Sequence, residues 1–201
     1  GVITGLGAVV NTAQVPAGAS VAVIGAGGVG LNAIQGAVLS GANPIVAIDV
    51  KPEKLETAKA FGATHGFLAG SDDLPGQLRA ITQGRGMDYV FVTVGATVAF
   101  DSAYDLLAKS GVSVLVGMPH SGVETAIEVA NFAYDCKGVL GSRMGNARIA
   151  VDIPYLIELY RQGRLKLDEL ISGRFPLERI NDAIAEVKAG SALRNVIVFD
   201  S

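Results

Sequence analysis

The chain has 201 residues, of which half are apolar and 26 are glycine, and it carries a formal net charge of −3 at pH 7. Because it has neither a basic cluster nor an apolar run of about 18 residues, this composition argues against a nucleic-acid partner and against a membrane span. The single cysteine, Cys136, excludes a disulfide framework, and with no visible signal peptide it predicts a cytoplasmic protein.

The first residues precede the main pattern of the fold. The sequence opens at Gly1 without an initiator methionine and within an apolar pattern, which predicts a piece of a longer protein. Residues 4–14 are predicted to form a short helix with Thr4 as its cap, and residues 16–18 are predicted to form a turn.

A glycine-rich turn follows the first predicted strand. Residues 21–24 are four consecutive apolar residues bounded by glycine, a pattern typical of a short buried parallel strand. Gly25, Gly27 and Gly30 then form G-x-G-x-x-G where a helix begins. In dinucleotide-binding folds these glycines allow a sharp turn, close approach of a pyrophosphate and tight helix packing, and the amides at the helix start favour an anion. In a chain this rich in glycine, the triplet alone is also compatible with a simple tight turn.

An acidic residue ends the second predicted strand. Residues 44–48 form that strand, and Asp49 follows nineteen residues after Gly30, where a dinucleotide fold places a carboxylate for the adenosine ribose. Because a carboxylate repels a 2′-phosphate, Asp49 favours NAD over NADP. No arginine stands beside it, although Lys51 and Lys54 follow. The alternative is that Asp49 is an ordinary residue at the end of a strand.

Strands alternate with helices as far as residue 141. Further strands are predicted at 66–68, 87–95, 112–117 and 137–141, and helices are predicted to start at Pro52 and to span 74–82 and about 98–108. The alternation predicts an α/β fold with a doubly wound, parallel, six-stranded Rossmann sheet. Residues 1–141 are therefore predicted to form an NAD-binding domain, with ligands at the strand ends near Asp49, Gly95 and Gly117.

The pattern changes in the C-terminal part of the sequence. One helix is predicted around residues 153–160, with Pro154 in its first turn, a second around 180–187, and a strand at 195–199. Residues 142–201 are accordingly predicted to form a short α+β appendage.

An ordered set of motifs resembles the coenzyme-binding half of the zinc-containing, medium-chain alcohol dehydrogenases. The set runs along nearly the whole chain and comprises Thr4-Gly5-Leu6-Gly7, Gly25–Gly30, Asp49 with Lys54, Gly62-Ala63-Thr64, Val94-Gly95, Val116–Pro119 and Arg194. The resemblance implies an NAD-binding fragment of an enzyme that transfers hydride between an alcohol and NAD⁺. It also implies that residues 142–201 belong to a catalytic domain that is otherwise missing.

The resemblance implies roles at the pyrophosphate and nicotinamide end of the coenzyme. The pyrophosphate would be held by the glycines of the turn, namely Gly25, Gly27, Gly28 and Gly30. Val29 would pack behind the nicotinamide ring and Thr4 would touch its face. Val116 and Met118 would offer backbone groups to the carboxamide, and Met118 and Leu140 would form one wall of an apolar substrate pocket.

It also implies roles along the rest of the coenzyme. Asp49 would bind the adenosine ribose with help from Lys54, and Val94 and Gly95 would lie along the adenosine and the middle of the coenzyme. Arg194 would pair with a phosphate oxygen, a task that suits its guanidinium. The alternatives are that Met118 and Leu140 are core residues, that Lys54 is a solvated helix charge and that Arg194 is an ordinary surface residue.

The zinc sites of the family have no counterpart in this sequence. The two cysteines and the histidine that hold the family's catalytic zinc would precede Gly1, and the four-cysteine lobe for structural zinc is missing. Cys136, His65 and His120 match no ligand position, and three scattered residues do not make a tetrahedral site. We therefore expect no catalytic residue and no metal ligand in this chain, which should bind NAD without oxidising alcohols.

Several alternatives stay open from sequence alone. Within the enzymes, the substrate could be a polyol or a glutathione-linked hydroxymethyl compound, whereas a quinone reductase is disfavoured by Asp49. An S-adenosylmethionine methyltransferase or a nucleotide-sensing module without chemistry would also use a glycine turn and an acid. The resemblance finally predicts a homodimer through the sheet edge near residues 138–141, because exposed edges recruit another strand.

Overall fold

The computed structural model describes residues 1–199 and contains a six-stranded parallel sheet with the order β3-β2-β1-β4-β5-β6. The strands are β1 Val21–Ile24, β2 Ile45–Asp49, β3 His65–Leu68, β4 Met87–Val92, β5 Leu107–Leu115 and β6 Gly138–Gly141. All five neighbouring pairs are parallel. This is the doubly wound order in which the direction of winding reverses between β1 and β4. The predicted α/β Rossmann fold is confirmed.

Helices connect the strands of this sheet. They are α1 Val2–Gly7, α2 Gly28–Leu39, α3 Pro52–Ala60, α4 Leu74–Ile81, α5 Thr97–Leu106 and α6 Val129–Tyr134. A π-helical segment, Ala8–Thr12, continues α1. Gly5 and Gly36 let α1 pack closely on α2, since a Cβ at Gly36 would lie 3.2 Å from the Cα of Leu6.

The core lies on both faces of the sheet, because successive side chains of a strand point to opposite sides. One face is covered by α4 and α5, and its cluster is formed mainly by Ala22, Ile24, Val46, Ile48, Leu74, Leu78, Met87, Val90, Val92, Ala99, Ala103 and Leu106. Every residue of β1 and β2 is buried. The continuous apolar runs that predicted these two strands therefore reflect burial on both sides.

The structure differs from the sequence prediction at several element boundaries. The helix predicted to about residue 108 ends at Leu106, and β5 begins at Leu107, where it pairs with Met87. Pairing with β4 overrides the helical tendency of these residues. Thr4 was predicted to cap a helix, but α1 begins at Val2, so Thr4 lies inside it. The short helix α6 was not predicted.

The chain divides into two compact units, residues 1–152, called the N-terminal unit, and residues 153–201, called the C-terminal unit. The division falls within α7, Ile149–Arg161, later than the predicted boundary at residue 141. This helix starts earlier than predicted, so Pro154 lies inside it and not in its first turn. Asp152 stabilises the start by accepting a hydrogen bond from the Arg148 amide at 2.8 Å.

The C-terminal unit contains a two-stranded parallel sheet and a helix. Strands β7 Ile171–Pro176 and β8 Arg194–Val198 pair with each other, and α8 spans Ile180–Lys188. Its buried apolar residues are Leu156, Leu159, Leu165, Leu170, Phe175 and Ala183.

Within residues 1–199, none of the helices combines the length and the apolar character needed to cross a membrane.

Candidate functional site

The glycine-rich turn leaves β1 at the carboxyl end of the sheet, beside the point where winding reverses. Gly25 has φ +97°, a left-handed conformation that glycine adopts without strain. Its amide donates to the Ile48 carbonyl at 2.8 Å, and the next amide, of Ala26, donates to Asp49 Oδ2 at 2.8 Å. The turn is therefore attached to β2 by two hydrogen bonds.

The three motif glycines have different surroundings. A Cβ at Gly30 would overlap the carbonyl oxygen of Gly25, and a Cβ at Gly25 would overlap the Val94 side chain. At Gly27, in contrast, nothing lies within 4 Å of a Cβ position. Packing within the protein therefore excludes a side chain at Gly25 and Gly30. Gly27 borders open space, so a ligand can come close to its backbone.

The start of α2 presents free hydrogen-bond donors. Its N-cap is Gly27, which offers no side-chain oxygen, and the first turn contains no acidic residue. The first amides of a helix have no acceptor within the helix, and the helix dipole adds partial positive charge there. Together with the open space at Gly27, this end of α2 suits an anionic group such as a diphosphate.

Asp49 ends β2 next to this turn and is 7% exposed. Its Oδ2 accepts the hydrogen bond from the Ala26 amide, and its Oδ1 accepts one from the Lys51 amide at 3.0 Å. These two bonds fix the orientation of the carboxylate. Each oxygen of an ionised carboxylate has a second lone pair, so Asp49 can still accept hydrogen bonds from ligand hydroxyls.

A cavity of about 530 Å³ opens beside Asp49 at the carboxyl ends of β1, β2 and β4. Four of the residues predicted from sequence line it, namely Gly25, Asp49, Lys54 and Val94. Most of the other lining residues are apolar, and they include Ile24, Ile48, Val50, Ala69, Leu74, Val98 and Leu106. Ligand sites of this size are commonly apolar clefts with a few polar groups.

Two further loops with predicted site residues meet at the same end of the sheet. A Cβ at Gly95 would lie 2.9 Å from the Met118 carbonyl oxygen, and Gly117 packs directly on the backbone of Val94. The Val116 amide donates to the Val92 carbonyl at 2.9 Å. Met118 is 83% exposed, so the alternative that it is a core residue is wrong.

The remaining predicted residues lie elsewhere along the chain. Gly28 and Val29 form the first residues of α2, and α1, which carries Thr4, packs against them through the contact of Gly5 with the Val29 carbonyl oxygen. Arg194 is the first residue of β8 in the C-terminal unit, where its side chain is exposed.

Thr93 is a residue of this site that was not predicted from sequence. It follows β4 directly, and its hydroxyl lies between the carbonyl oxygens of Ile24, at 2.9 Å, and Gly25, at 2.8 Å. The available signal was a polar residue within an apolar run, two positions before Gly95, but the hydrogen-bond partners of Thr93 are 68 and 69 positions away in sequence.

Residues 1–199 contain no group of three His, Cys, Asp or Glu side chains that could hold a metal ion. Cys136 is exposed, and His65 stacks on Phe67 with its Nδ1 2.8 Å from the Thr64 hydroxyl. The side chains present in this part of the chain therefore do not fit a zinc ion.

Comparison with known proteins adds independent information. The sequence is 36% identical to an alcohol dehydrogenase of Malus domestica over 199 residues, which cover 98% of this chain and 52% of the relative. It is 36% identical to an alcohol dehydrogenase class-3 of Cereibacter sphaeroides over 209 residues, covering 99% of this chain and 55% of that protein. The chain thus spans about half the length of the curated relatives it matches.

The fold is also shared with solved structures. The crystal structure of an alcohol dehydrogenase zinc-binding domain protein from Burkholderia ambifaria superposes with a TM-score of 0.95 and is 33% identical, covering all of this chain and 54% of that one. A family profile described as zinc-binding dehydrogenase matches residues 28–161, which include α2, Asp49 and the strands from β2 to β6. This chain is a member of the zinc-binding dehydrogenase family.

Proposed function

We propose that this chain is the coenzyme-binding part of an NAD-dependent alcohol dehydrogenase. The observation that carries the proposal is the combination of open space at Gly27 with the fixed carboxylate of Asp49 at the same end of the sheet. The diphosphate of the coenzyme would lie over the amides that open α2, and the adenosine ribose would lie against Asp49.

The choice of NAD over NADP follows from the charge of Asp49. Its carboxylate is held by two backbone amides and so keeps a fixed position beside the cavity. A 2′-phosphate in that position would meet a negative charge at short range, whereas two ribose hydroxyls would donate to the free lone pairs. Lys54 also lines the cavity and would add a donor to the same ribose.

The apolar part of the cavity suits the adenine ring. The apolar side chains that line it include those of Ile48, Val50, Val94, Val98 and Leu106. On the other side of the turn, Val29, Thr4 and the backbone of Val116 and Met118 would receive the nicotinamide. Bound NAD would supply the hydride-accepting ring, and these residues would orient it.

The alcohol chemistry is proposed for the parent protein and not for this chain alone. The described residues offer no metal-binding group, and the chain spans about half of its relatives. We expect that the purified chain binds NADH but does not reduce an aldehyde, even with added zinc. NADH oxidation followed at 340 nm with acetaldehyde and zinc would test this, and sustained turnover would contradict it.

The C-terminal unit would pack against the remainder of the parent protein. It exposes many apolar side chains, among them Ile153, Tyr155, Ile157, Ile184, Val187 and Phe199. A surface of this kind marks a contact with another chain segment or partner. Arg194 of this unit would pair with a phosphate oxygen of the coenzyme in the complete protein.

A homodimer through β6 is part of the same proposal. β6 is the last strand of the sheet, so one of its edges has no neighbouring strand in the described chain, and Val139 and Leu140 are each 40% exposed. Edge strands with apolar side chains readily pair with a second copy.

Calorimetric titration separates the proposal from its rivals. The chain should bind NADH and ADP, which share the adenosine diphosphate, and should not bind S-adenosylmethionine, which lacks a diphosphate. Binding of S-adenosylmethionine with no binding of NADH would contradict the proposed function.

A further inference from the structure

One peptide plane of the glycine-rich turn is held at both ends by side chains, one from the last residue of β2 and the other from the residue that follows β4. The plane joins Gly25 to Ala26. Its carbonyl oxygen, on Gly25, accepts a hydrogen bond from Thr93 Oγ1 at 2.8 Å, and its N–H, on Ala26, donates to Asp49 Oδ2 at 2.8 Å. Because a peptide unit is planar, fixing the oxygen and the N–H fixes the orientation of the whole unit.

Thr93 also occupies the inside of the turn. Its oxygen would lie 3.0 Å from a Cβ at Gly25 and equally 3.0 Å from a Cβ at Gly30. Its backbone amide donates to the Ile24 carbonyl at 3.0 Å, and its hydroxyl reaches the same carbonyl at 2.9 Å. The one hydroxyl proton is therefore shared between the carbonyls of Ile24 and Gly25.

We propose that Thr93 is a positioning residue for the coenzyme diphosphate, an inference that rests on the proposed coenzyme site. Thr93 does not line the cavity, so it acts on the ligand through the Gly25–Ala26 peptide. By turning the Gly25 carbonyl inward, it sets the path of the backbone into Gly27 and thus the direction of the amides that open α2. Asp49 holds the same peptide from the other side, in addition to its contact with the ribose.

The role is specific to the hydroxyl group. Thr93→Val keeps the shape of the side chain but removes the donor, so the Gly25 carbonyl loses its partner while the Ile24 carbonyl keeps the Thr93 amide. Thr93→Ser keeps the donor and removes only a methyl group. The two variants therefore separate hydrogen bonding from packing.

The test compares ligands with and without a diphosphate. Dissociation constants for NADH, ADP and adenosine are measured by calorimetry for the wild type, Thr93→Val and Thr93→Ser, together with the thermal midpoint of each. We expect Thr93→Val to weaken NADH and ADP about tenfold and adenosine less than about twofold, with Thr93→Ser within about twofold of wild type for all three.

Each outcome bears on the proposal. Unchanged ADP affinity in Thr93→Val, or an equal loss for ADP and adenosine, would overturn the positioning role, the second result indicating a general loss of structure. If Thr93→Val does not fold, Thr93→Cys takes its place as a weak donor, and undiminished ADP affinity would overturn the role. Wild-type chain that binds neither NADH nor ADP would instead overturn the coenzyme site, and with it this role of Thr93.

Discussion

The centre of the sheet and the C-terminal unit use apolar residues in opposite ways. In β1 and β2 every residue is buried, whereas β7 alternates between partly covered and exposed positions with only Phe175 buried, and β8 has no buried residue. The central strands are covered on both faces by helices of the same unit, and they hold the turn that carries the proposed site. The difference teaches that the central sheet buries its apolar residues in a core of its own, whereas the C-terminal unit leaves many of its apolar side chains exposed.

The largest expected effect is on the free energy of unfolding, in a comparison of two phenylalanines. Phe91 in β4 is completely buried, and Phe199 after β8 is 70% exposed. Phe91→Ala should lower the free energy of unfolding by about 3–5 kcal/mol because it leaves a cavity in the core. Phe199→Ala should change it by less than about 0.5 kcal/mol. Urea denaturation followed by circular dichroism measures both, and similar losses would mean that Phe199 is covered in solution.

Alanine substitutions at Gly30 and Gly27 test which glycines of the turn are required for stability. Gly30→Ala should lower the free energy of unfolding by about 1–3 kcal/mol, since its methyl group would overlap the Gly25 carbonyl. Gly27→Ala should leave the urea midpoint unchanged, because its φ of −84° suits alanine and its methyl group meets no protein atom.

The same pair gives a sharp binding result. In Gly27→Ala the added methyl group would occupy the space proposed for the diphosphate, so NADH affinity should fall by tenfold or more, about 1.4 kcal/mol. Wild-type affinity for NADH in a folded Gly27→Ala variant would place the diphosphate elsewhere.

Asp49→Asn examines coenzyme choice while keeping an acceptor for the turn. The amide side chain removes the negative charge, so the preference for NADH over NADPH should fall by roughly tenfold, about 1.4 kcal/mol. Fluorescence titration with each coenzyme measures the ratio. Asp49→Ala would be a poorer choice, because the Ala26 and Lys51 amides would both lose their acceptor. An unchanged ratio of NADH to NADPH affinity in Asp49→Asn would show that the carboxylate does not determine the coenzyme preference.

A substitution at the sheet edge is expected to change the oligomeric state with little effect on stability. Val139→Lys places a charge on β6, which should convert the proposed dimer to a monomer and change the free energy of unfolding by less than about 0.5 kcal/mol. Val187→Lys, at a 56% exposed position of α8, is the matched control and should leave the dimer intact. Light scattering after size-exclusion chromatography measures both masses, and a dimer that survives Val139→Lys would exclude this edge.

The sheet could be predicted because its signals are local. The strands β1, β2 and β4 were predicted from their apolar runs and from the glycines near their ends. The fold was predicted from the alternation of these strands with helices. Boundaries that depend on distant pairing were wrong. The start of β5 at Leu107 depends on Met87, and the early start of α7 is stabilised by Asp152 and its bond to Asn11.

The site was only partly predictable for the same reason. The glycine spacing and Asp49 are visible in the sequence, but the bonds that fix them are not. Gly25 is crowded by Val94, and the Gly25 carbonyl that crowds Gly30 accepts a hydrogen bond from Thr93, and both Val94 and Thr93 lie more than 60 residues away. The assignments of all predicted site residues to coenzyme contacts, those of Thr4 and Arg194 included, stay predictions.

A crystal structure of the chain grown with NADH tests the central claim most directly. We expect the diphosphate within hydrogen-bonding distance of the amides that open α2 and the adenosine ribose against Asp49. NADH bound at another place, with the space over Gly27 empty, would contradict the account.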